Sequence, residues 1–217
     1  TTTAGTPTIT VSGSCGTING TMTLYNLTLS AAGTCALFSG GNTLTINNNF
    51  TIGTGVTVDQ RSDVVVSGNL ITSGTGSLLS NGSTPTMTVN GTSIGGGTGS
   101  LTFYNLSKTA AGTTTWSGTT LAAVTNTFTV SSGTFIFSGG NLILGGTVTT
   151  SGGIFAPTGG VTYAATAGGT IPASGSYGNL SLSDGLLGYW KLDETTGTVA
   201  ADSSGLGHTG THTSAPT

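Results

Sequence analysis

The stretch LTFYNLSKTAAGT at 101–113 nearly repeats MTLYNLTLSAAGT at 22–34. The similarity extends outward from this pair, because TPTITVSG at 6–13 returns as TPTMTVNG at 84–91. A third and degenerate copy keeps SYGNLSLS at 176–183. The first two copies are offset by about 78 residues, and a fixed period of this kind is typical of repeat architectures.

The repetitive body covers 1–183, and we divide it into two full units and one clipped unit, at 6–83, 84–156 and 157–183. A finer period runs inside each unit. The segment IGTGVTV is followed about twenty residues later by TSGTGSLL, and the second unit repeats this spacing. Four such steps would make one full unit of about 78 residues.

Apolar residues within a step alternate with polar ones, as at Leu44 and Ile46 or at Val56 and Val58. This period of two predicts strands, and Gly, Asn, Ser and Thr mark the turns between them. Short strands in steps of about twenty residues predict an all-β fold, a parallel β-solenoid (β-helix) whose coils stack at about 4.8 Å. About nine coils would fit the body.

The alternative fold is a series of small β-sandwich domains, one for each repeat of about 78 residues. Such domains would explain the long period and the alternating strands. They give no reason for the twenty-residue period inside each unit, so the spacing favours the solenoid.

Charge is scarce in this chain, at 4% of its 217 residues, against about a quarter in ordinary soluble domains. The basic residues are Arg61, Lys108 and Lys191, too few to form a surface for nucleic acid or anionic lipid. No apolar run approaches the roughly 18 residues of a membrane-spanning helix. Because initiator Met and signal peptide are absent from the sequence, we expect a processed form or part of a longer protein.

The two cysteines, Cys15 and Cys35, are twenty residues apart, which is one coil in a solenoid. Stacked coils would bring their side chains within bonding distance, and a disulfide would indicate an extracellular setting. The matching positions in the second unit are Ser93 and Thr114, so both cysteines are lost together. Two buried thiols remain the alternative to a disulfide.

The composition changes at 184–217, where four of the six acidic residues lie. The stretch GLLGYWKLDETTGTVAADSSGLGHTGT at 185–211 resembles the opening of a laminin-G-like, concanavalin-A-like jelly-roll domain. The resemblance rests on an apolar strand with Tyr-Trp, an acidic turn and a Gly-rich turn. These features occupy Tyr189, Trp190, Asp193, Glu194, Ala201, Asp202, Ser203, Ser204 and Gly205.

The resemblance implies a bacterial surface protein, because such domains often stand at the ends of these proteins and often bind glycans, some with calcium. It is confined to the stretch 185–211, so the jelly roll is incomplete and no binding site transfers. The repetitive body is likewise similar to the β-helical regions of bacterial surface proteins and adhesins.

Candidate chemistry is sparse. One cluster of charged residues contains Asp59, Arg61 and Asp63. Its composition resembles the sites of β-helical enzymes that cleave polysaccharides. The alternative is a polar turn whose charges are satisfied locally or by solvent. His208 and His212 lack the helical context for a metal site, and no residue set predicts a cofactor. The sequence leaves open whether Trp116 makes a local contact or lies at an interface.

These observations predict a non-enzymatic, extracellular structural protein of a bacterial cell surface, which pairs strands head to tail with its own copies to form a fibre or stalk. Extracellular glycans are a second expected partner, if the body is the spacer of an adhesin with a glycan-binding jelly-roll head. A polysaccharide-degrading enzyme is the third hypothesis. The expected self-association anchors lie in the tail, at Leu186, Leu187, Tyr189, Trp190 and Leu192.

Overall fold

We analysed a computed structural model, which describes residues 6–13, 15–37, 41–80, 84–164, 179–182, 190–191, 195–203 and 209–211. The chain divides into two compact units, Thr1–Ser181 and Leu182–Thr217. Every element in the described ranges is a β-strand, which confirms the predicted all-β fold.

The first unit is a parallel solenoid with three faces, which we call faces A, B and C. Face A is an eight-stranded sheet. Its strands are β1 (Thr8–Val11), β4 (Asn26–Leu29), β7 (Phe50–Ile52), β10 (Leu70–Thr72), β13 (Ser93–Gly95), β15 (Thr113–Ser117), β17 (Gly133–Phe137) and β20 (Gly153–Phe155).

Faces B and C belong to one larger sheet, joined where β14 (Leu101–Lys108) and β16 (Ala122–Val130) continue from face B onto face C. Face B also contains β2 (Thr17–Ile18), β5 (Gly33–Leu37), β8 (Val56–Gln60), β11 (Ser77–Ser80), β18 (Asn141–Leu144), β21 (Gly160–Tyr163) and β22 (Asn179–Leu182). The other strands of face C are β3 (Met22–Leu24), β6 (Thr43–Ile46), β9 (Asp63–Val66), β12 (Thr86–Val89) and β19 (Val148–Thr149).

Each strand pairs with the strand of the same face in the next coil, and every described register in this unit is parallel. Thr28 pairs with Thr51, for example, and Thr45 pairs with Val65. Parallel pairing at a spacing of 18 to 24 residues confirms the solenoid. The β-sandwich alternative is wrong, because β-sandwich domains are built from antiparallel sheets and these strands pair in parallel.

The core is a column of apolar side chains inside the three faces. Alternate residues point inward in a strand, so the alternating sequence fills this column rung by rung. Phe50, Leu70 and Ile94 are stacked in this way on face A and are fully buried. Trp116 continues the same ladder, with its ring edge-on to Phe103 at 5.3 Å. Its role is therefore local packing in the core.

The described part contains seven full coils followed by β20, β21 and β22, so the expectation of nine coils in the body is not met within these residues. The arithmetic of four coils per repeat unit is also wrong. Successive coils advance by 18 to 24 residues, so the mean step is slightly longer than twenty. One sequence repeat therefore ends one face short of four coils.

A face segment is the part of one coil that lies on one face, so β14 and β16 each contribute one segment to face B and one to face C. The sequence repeat thus covers eleven face segments, whereas four full coils would contain twelve. As a result, equivalent residues lie on different faces. Asn26 is on face A, and its counterpart Asn105 is on face C. The third copy, Asn179, is in β22 on face B. The repeated segment rotates by one face from copy to copy.

The second unit is described by two short antiparallel features. Strands β23 (Val199–Ala200) and β24 (Gly210–Thr211) pair with each other, and Trp190 forms an isolated antiparallel bridge with Asp202. Antiparallel pairing separates this unit in type from the parallel body.

Candidate functional site

The first coil of the solenoid leaves its inward-facing side chains partly open. Ile9 is in register with the buried Leu27, yet 47% of its surface is exposed. Five further residues of this coil pack against the core and are only partly buried, namely Val11, Cys15, Ile18, Met22 and Leu24. Strand β1 pairs only with β4, so its outer edge carries unpaired backbone groups among the described residues.

A disulfide between Cys15 and Cys35 joins this open coil to the second coil. The two Cα atoms are 4.8 Å apart, which is the stacking distance of neighbouring coils. The predicted pair is thus confirmed, and the alternative of two free thiols is wrong. The covalent link lies where apolar burial is least complete, so it secures the coil that packing holds most weakly.

An asparagine that sequence reasoning missed holds successive coils together in both full repeats. The Oδ1 atom of Asn26 accepts hydrogen bonds from Asn48 Nδ2 at 2.9 Å and from the Asn49 backbone N–H at 3.1 Å. In the second repeat, Asn105 Oδ1 accepts the same pair of bonds, from Asn126 Nδ2 and the Thr127 N–H. The recurrence of Tyr-Asn-Leu therefore reflects hydrogen bonding by its asparagine.

The predicted charge cluster lies at the corner between faces B and C. Asp59 is buried, and its Oδ2 accepts a hydrogen bond of 2.7 Å from Arg61 Nε. Asp63 is exposed on face C, and its Oδ1 accepts the Thr86 backbone N–H at 2.8 Å. Each carboxylate thus accepts a hydrogen bond from within the protein, as expected for a polar turn whose charges are satisfied locally.

A shallow pocket of about 320 Å³ opens beside this corner. The buried hydroxyl of Ser62 is in its wall and has no hydrogen-bond partner, and the same is true of the buried Asp59 Oδ1 nearby in sequence. The pocket is lined by Gly41, Asn42, Arg61, Ser62, Asp63, Thr84 and Pro85. The arrangement can bind a small polar group, and catalysis at Asp59 and Asp63 stays an untested hypothesis.

Lys108 is the least expected residue of the core. It is fully buried at the end of β14, and its Nζ donates a hydrogen bond of 2.8 Å to the Ala110 backbone carbonyl. Its counterpart in the first repeat is the buried Leu29. Desolvation by burial lowers the pKa of the Lys108 ammonium below its ordinary value of 10.5.

Most of the predicted anchors of the tail lie outside the described residues, namely Leu186, Leu187, Tyr189 and Leu192. Trp190 is described and is 44% exposed. The two histidines, His208 and His212, also fall outside the described residues. Within the described segments no cluster of His, Cys, Asp or Glu suits a metal ion, and no helix has the length and hydropathy to cross a bilayer.

No family model matches this sequence, and no curated protein and no solved structure is significantly similar to it. The fold and the site must therefore be interpreted from their own residues.

Removing the disulfide should destabilise the protein. Replacing Cys15 and Cys35 by Ser opens a link across twenty residues, for which chain entropy predicts a loss of about 3 kcal/mol in the free energy of unfolding. Denaturant titration followed by circular dichroism measures it. As a control, a reducing agent should lower wild-type stability to that of the double variant and leave the variant unchanged. Equal stability of both proteins without reductant would contradict the stapling role.

Replacing Lys108 with Leu, the residue at the equivalent position 29, should raise the free energy of unfolding by about 1 kcal/mol, because it removes a buried charge. The pH dependence has a defined sign. The unfolded chain retains this proton to higher pH than the folded chain, so wild-type stability rises with pH from the lowered pKa up to 10.5.

The Lys108→Leu variant should lose this pH-dependent rise, measured by denaturant titration between neutral and alkaline pH. The exposed Lys191, replaced with Leu, is the matched control and should keep the wild-type profile. A lower stability for Lys108→Leu would show that the Ala110 hydrogen bond outweighs the cost of burial.

Proposed function

We propose that this chain is a structural rod segment of an extracellular bacterial surface protein, and that it stacks end to end through β-strand pairing. The observation that carries the proposal is the open first coil. Ile9 is exposed and the other inward-facing residues of this coil are only partly buried, although the same positions are buried in the coils that follow. Another coil placed on β1 would bury them and pair the free edge of that strand.

The coil that covers this end has two possible sources. In a stalk, it would be a preceding coil of the same longer chain. In a fibre, it would come from the far end of a second molecule in a head-to-tail contact, which continues without closing. Both arrangements use the same main-chain pairing and apolar burial.

The low charge supports close stacking of copies. With three basic and six acidic residues in 217, neighbouring molecules repel each other weakly. The disulfide supports an extracellular location, because such bonds persist in oxidising compartments and are rare in the cytosol.

The second unit supports a role for the tail as a strand donor at the joint. Its described strands pair antiparallel, and Trp190 is exposed at 44% beside them. Added strands on an open sheet edge are a common mode of protein association. The same segment also favours a second function, in which the body is the spacer of an adhesin and a laminin-G-like head binds glycans.

The end-stacking proposal is tested by a pair of isoleucine variants on the same face. Ile9 faces inward at the open end, and Ile154 faces outward on β20, with 47% and 48% exposure respectively. Ile9→Lys should abolish concentration-dependent assembly, because a charge would be buried at the joint. Ile154→Lys should assemble like the wild type.

Assembly is measured by sedimentation velocity over a range of concentrations and by negative-stain electron microscopy. Equal assembly of both variants would overturn the end-stacking contact. A wild-type chain that remains monomeric at every concentration would exclude the fibre and leave the stalk, in which a covalently linked coil covers β1.

Truncation after Ser183 tests the tail. We expect the truncated chain to form no polymers. The circular dichroism spectrum and the unfolding midpoint of the solenoid should stay unchanged, because the second unit is a separate compact unit. Persistence of unchanged polymers would remove the tail from the mechanism. The Ile9→Lys variant thus tests the contact at the open first coil, and the truncation tests strand donation by the tail.

A further inference from the structure

Face C carries two parallel columns of outward-pointing residues, mostly threonine, that continue through seven coils. The first column follows the strand registers of β3, β6, β9, β12, β14, β16 and β19 without a break. It contains Thr23, Thr45, Val65, Thr88, Ser107, Thr129 and Thr149. The positions two residues earlier in each coil form the second column, which contains Thr21, Thr43, Asp63, Thr86, Asn105, Thr127 and Thr147. Strand pairing and the hydrogen bond between Asp63 and Thr86 connect it from Thr43 to Thr127, and Thr21 and Thr147 directly precede β3 and β19.

The threonines are not a by-product of the sequence repeat. Each segment of face C has its repeat counterpart on face A or face B, because the repeat rotates by one face. Thr43 and Thr45 correspond to Leu121 and Ala123 on face B. Eleven of the fourteen residues in the two columns of face C bear a hydroxyl group. Only six of the fourteen residues that match them in the other repeat unit, on faces A and B, bear one.

The other end of the array shows the same difference. Thr147 and Thr149 correspond to Asn69 and Ile71 on face A. The fold also does not require threonine at outward positions, since Ile71 occupies one in the middle of the solenoid. The pattern therefore belongs to face C itself.

The hydroxyls of the first column are available to a ligand. Those of Thr45, Thr88 and Thr129 form no hydrogen bond within the described part of the chain, and the three side chains are half-exposed. A β-branched side chain in a strand has few χ1 rotamers, so each hydroxyl and each methyl group is held in a fixed direction. Little conformational entropy is lost when such a surface binds.

The array has two regular spacings. Neighbouring coils repeat at about 4.8 Å, and the two columns are two residues apart along a strand, at roughly 6.6 Å. Two positions interrupt the hydroxyls. Asp63 is held by the Thr86 N–H, and Asn105 is held by Asn126 and Thr127, so both serve the stacking of coils.

We propose that face C binds ice. A two-dimensional array of fixed groups fits a partner that repeats in two directions. The oxygen lattice of hexagonal ice has one repeat slightly shorter than the coil spacing and one somewhat longer than the column spacing. Threonine suits this partner because its hydroxyl anchors a water molecule while its methyl group orders the neighbouring water. Water held in this register joins the crystal surface, and the bound chain blocks further growth there.

Charge and shape agree with an uncharged lattice as the occupant. Asp63 is the one charged residue in the two columns, and threonine side chains are of equal size, so no long side chain prevents contact. A flexible sugar chain or a folded protein would not require the same two residues in coil after coil. This inference does not depend on end-to-end stacking, because one molecule already holds the seven rungs.

The test measures thermal hysteresis and inhibition of ice recrystallisation with the full chain. Thr45→Lys and Thr88→Lys place long charged side chains in the first column of face C. The matched controls, Thr28→Lys and Thr51→Lys, make the same change at half-exposed outward positions of face A. Circular dichroism and thermal unfolding establish that all four variants fold alike.

We expect the wild type and both face A controls to show hysteresis and to inhibit recrystallisation, and both face C variants to lose these activities. Absence of activity in the wild type overturns the proposal, as does an equal loss in the face A controls. A dimer in sedimentation velocity that Thr88→Lys dissociates would assign face C to contact between copies. Binding to insoluble polysaccharide that the face C variants alone lose would assign it to glycans; either result overturns ice as the partner.

If the lysine variants of face C fail to fold, Thr45→Val and Thr88→Val replace them in the same measurements. They keep the β-branched shape of Val65, which already occupies the column, and remove only the hydroxyl. Partial loss of hysteresis is expected, and complete retention would show that the hydroxyls are not required.

Discussion

Parallel pairing between coils is the constraint on which the rest of this structure depends. Each strand pairs with a strand 18 to 24 residues further along the chain, so no coil is complete without its neighbour. Among the described residues the first coil has a neighbour on one side only. There the apolar residues are incompletely buried, and there the disulfide is placed. Stability at this end therefore depends on what is stacked against it.

The three faces of the solenoid are nearly interchangeable, and this explains how a repeat can cover eleven face segments. A segment of about seven residues needs one or two inward apolar residues and a polar turn, whichever face it occupies. Asn26 and Asn105 make the same two hydrogen bonds on different faces. Local chemistry is retained between copies while the surrounding surface changes, so each face can acquire its own outward residues.

The sequence predicted the features that depend on period and failed at those that depend on contacts. Alternation and the twenty-residue step were sufficient for the solenoid, and they placed Cys15 within reach of Cys35. The turn residues do not show that a coil is slightly longer than twenty residues. The sequence therefore did not predict that the repeated segment rotates by one face from copy to copy. The buried position of Lys108 was also missed, because lysine is rarely fully buried, although its match with the buried Leu29 places it on the inward side.

The solenoid itself is tested most directly by distances between nitroxide labels on face C, measured by double electron–electron resonance. Residue Thr23 is four coils from Ser107 and six from Thr149. Stacked coils predict Cα separations of roughly 19 Å and roughly 29 Å, so the two added coils lengthen the distance by about 10 Å. A narrow distribution at each value supports the account. Distances that do not grow in proportion to the number of coils would contradict it.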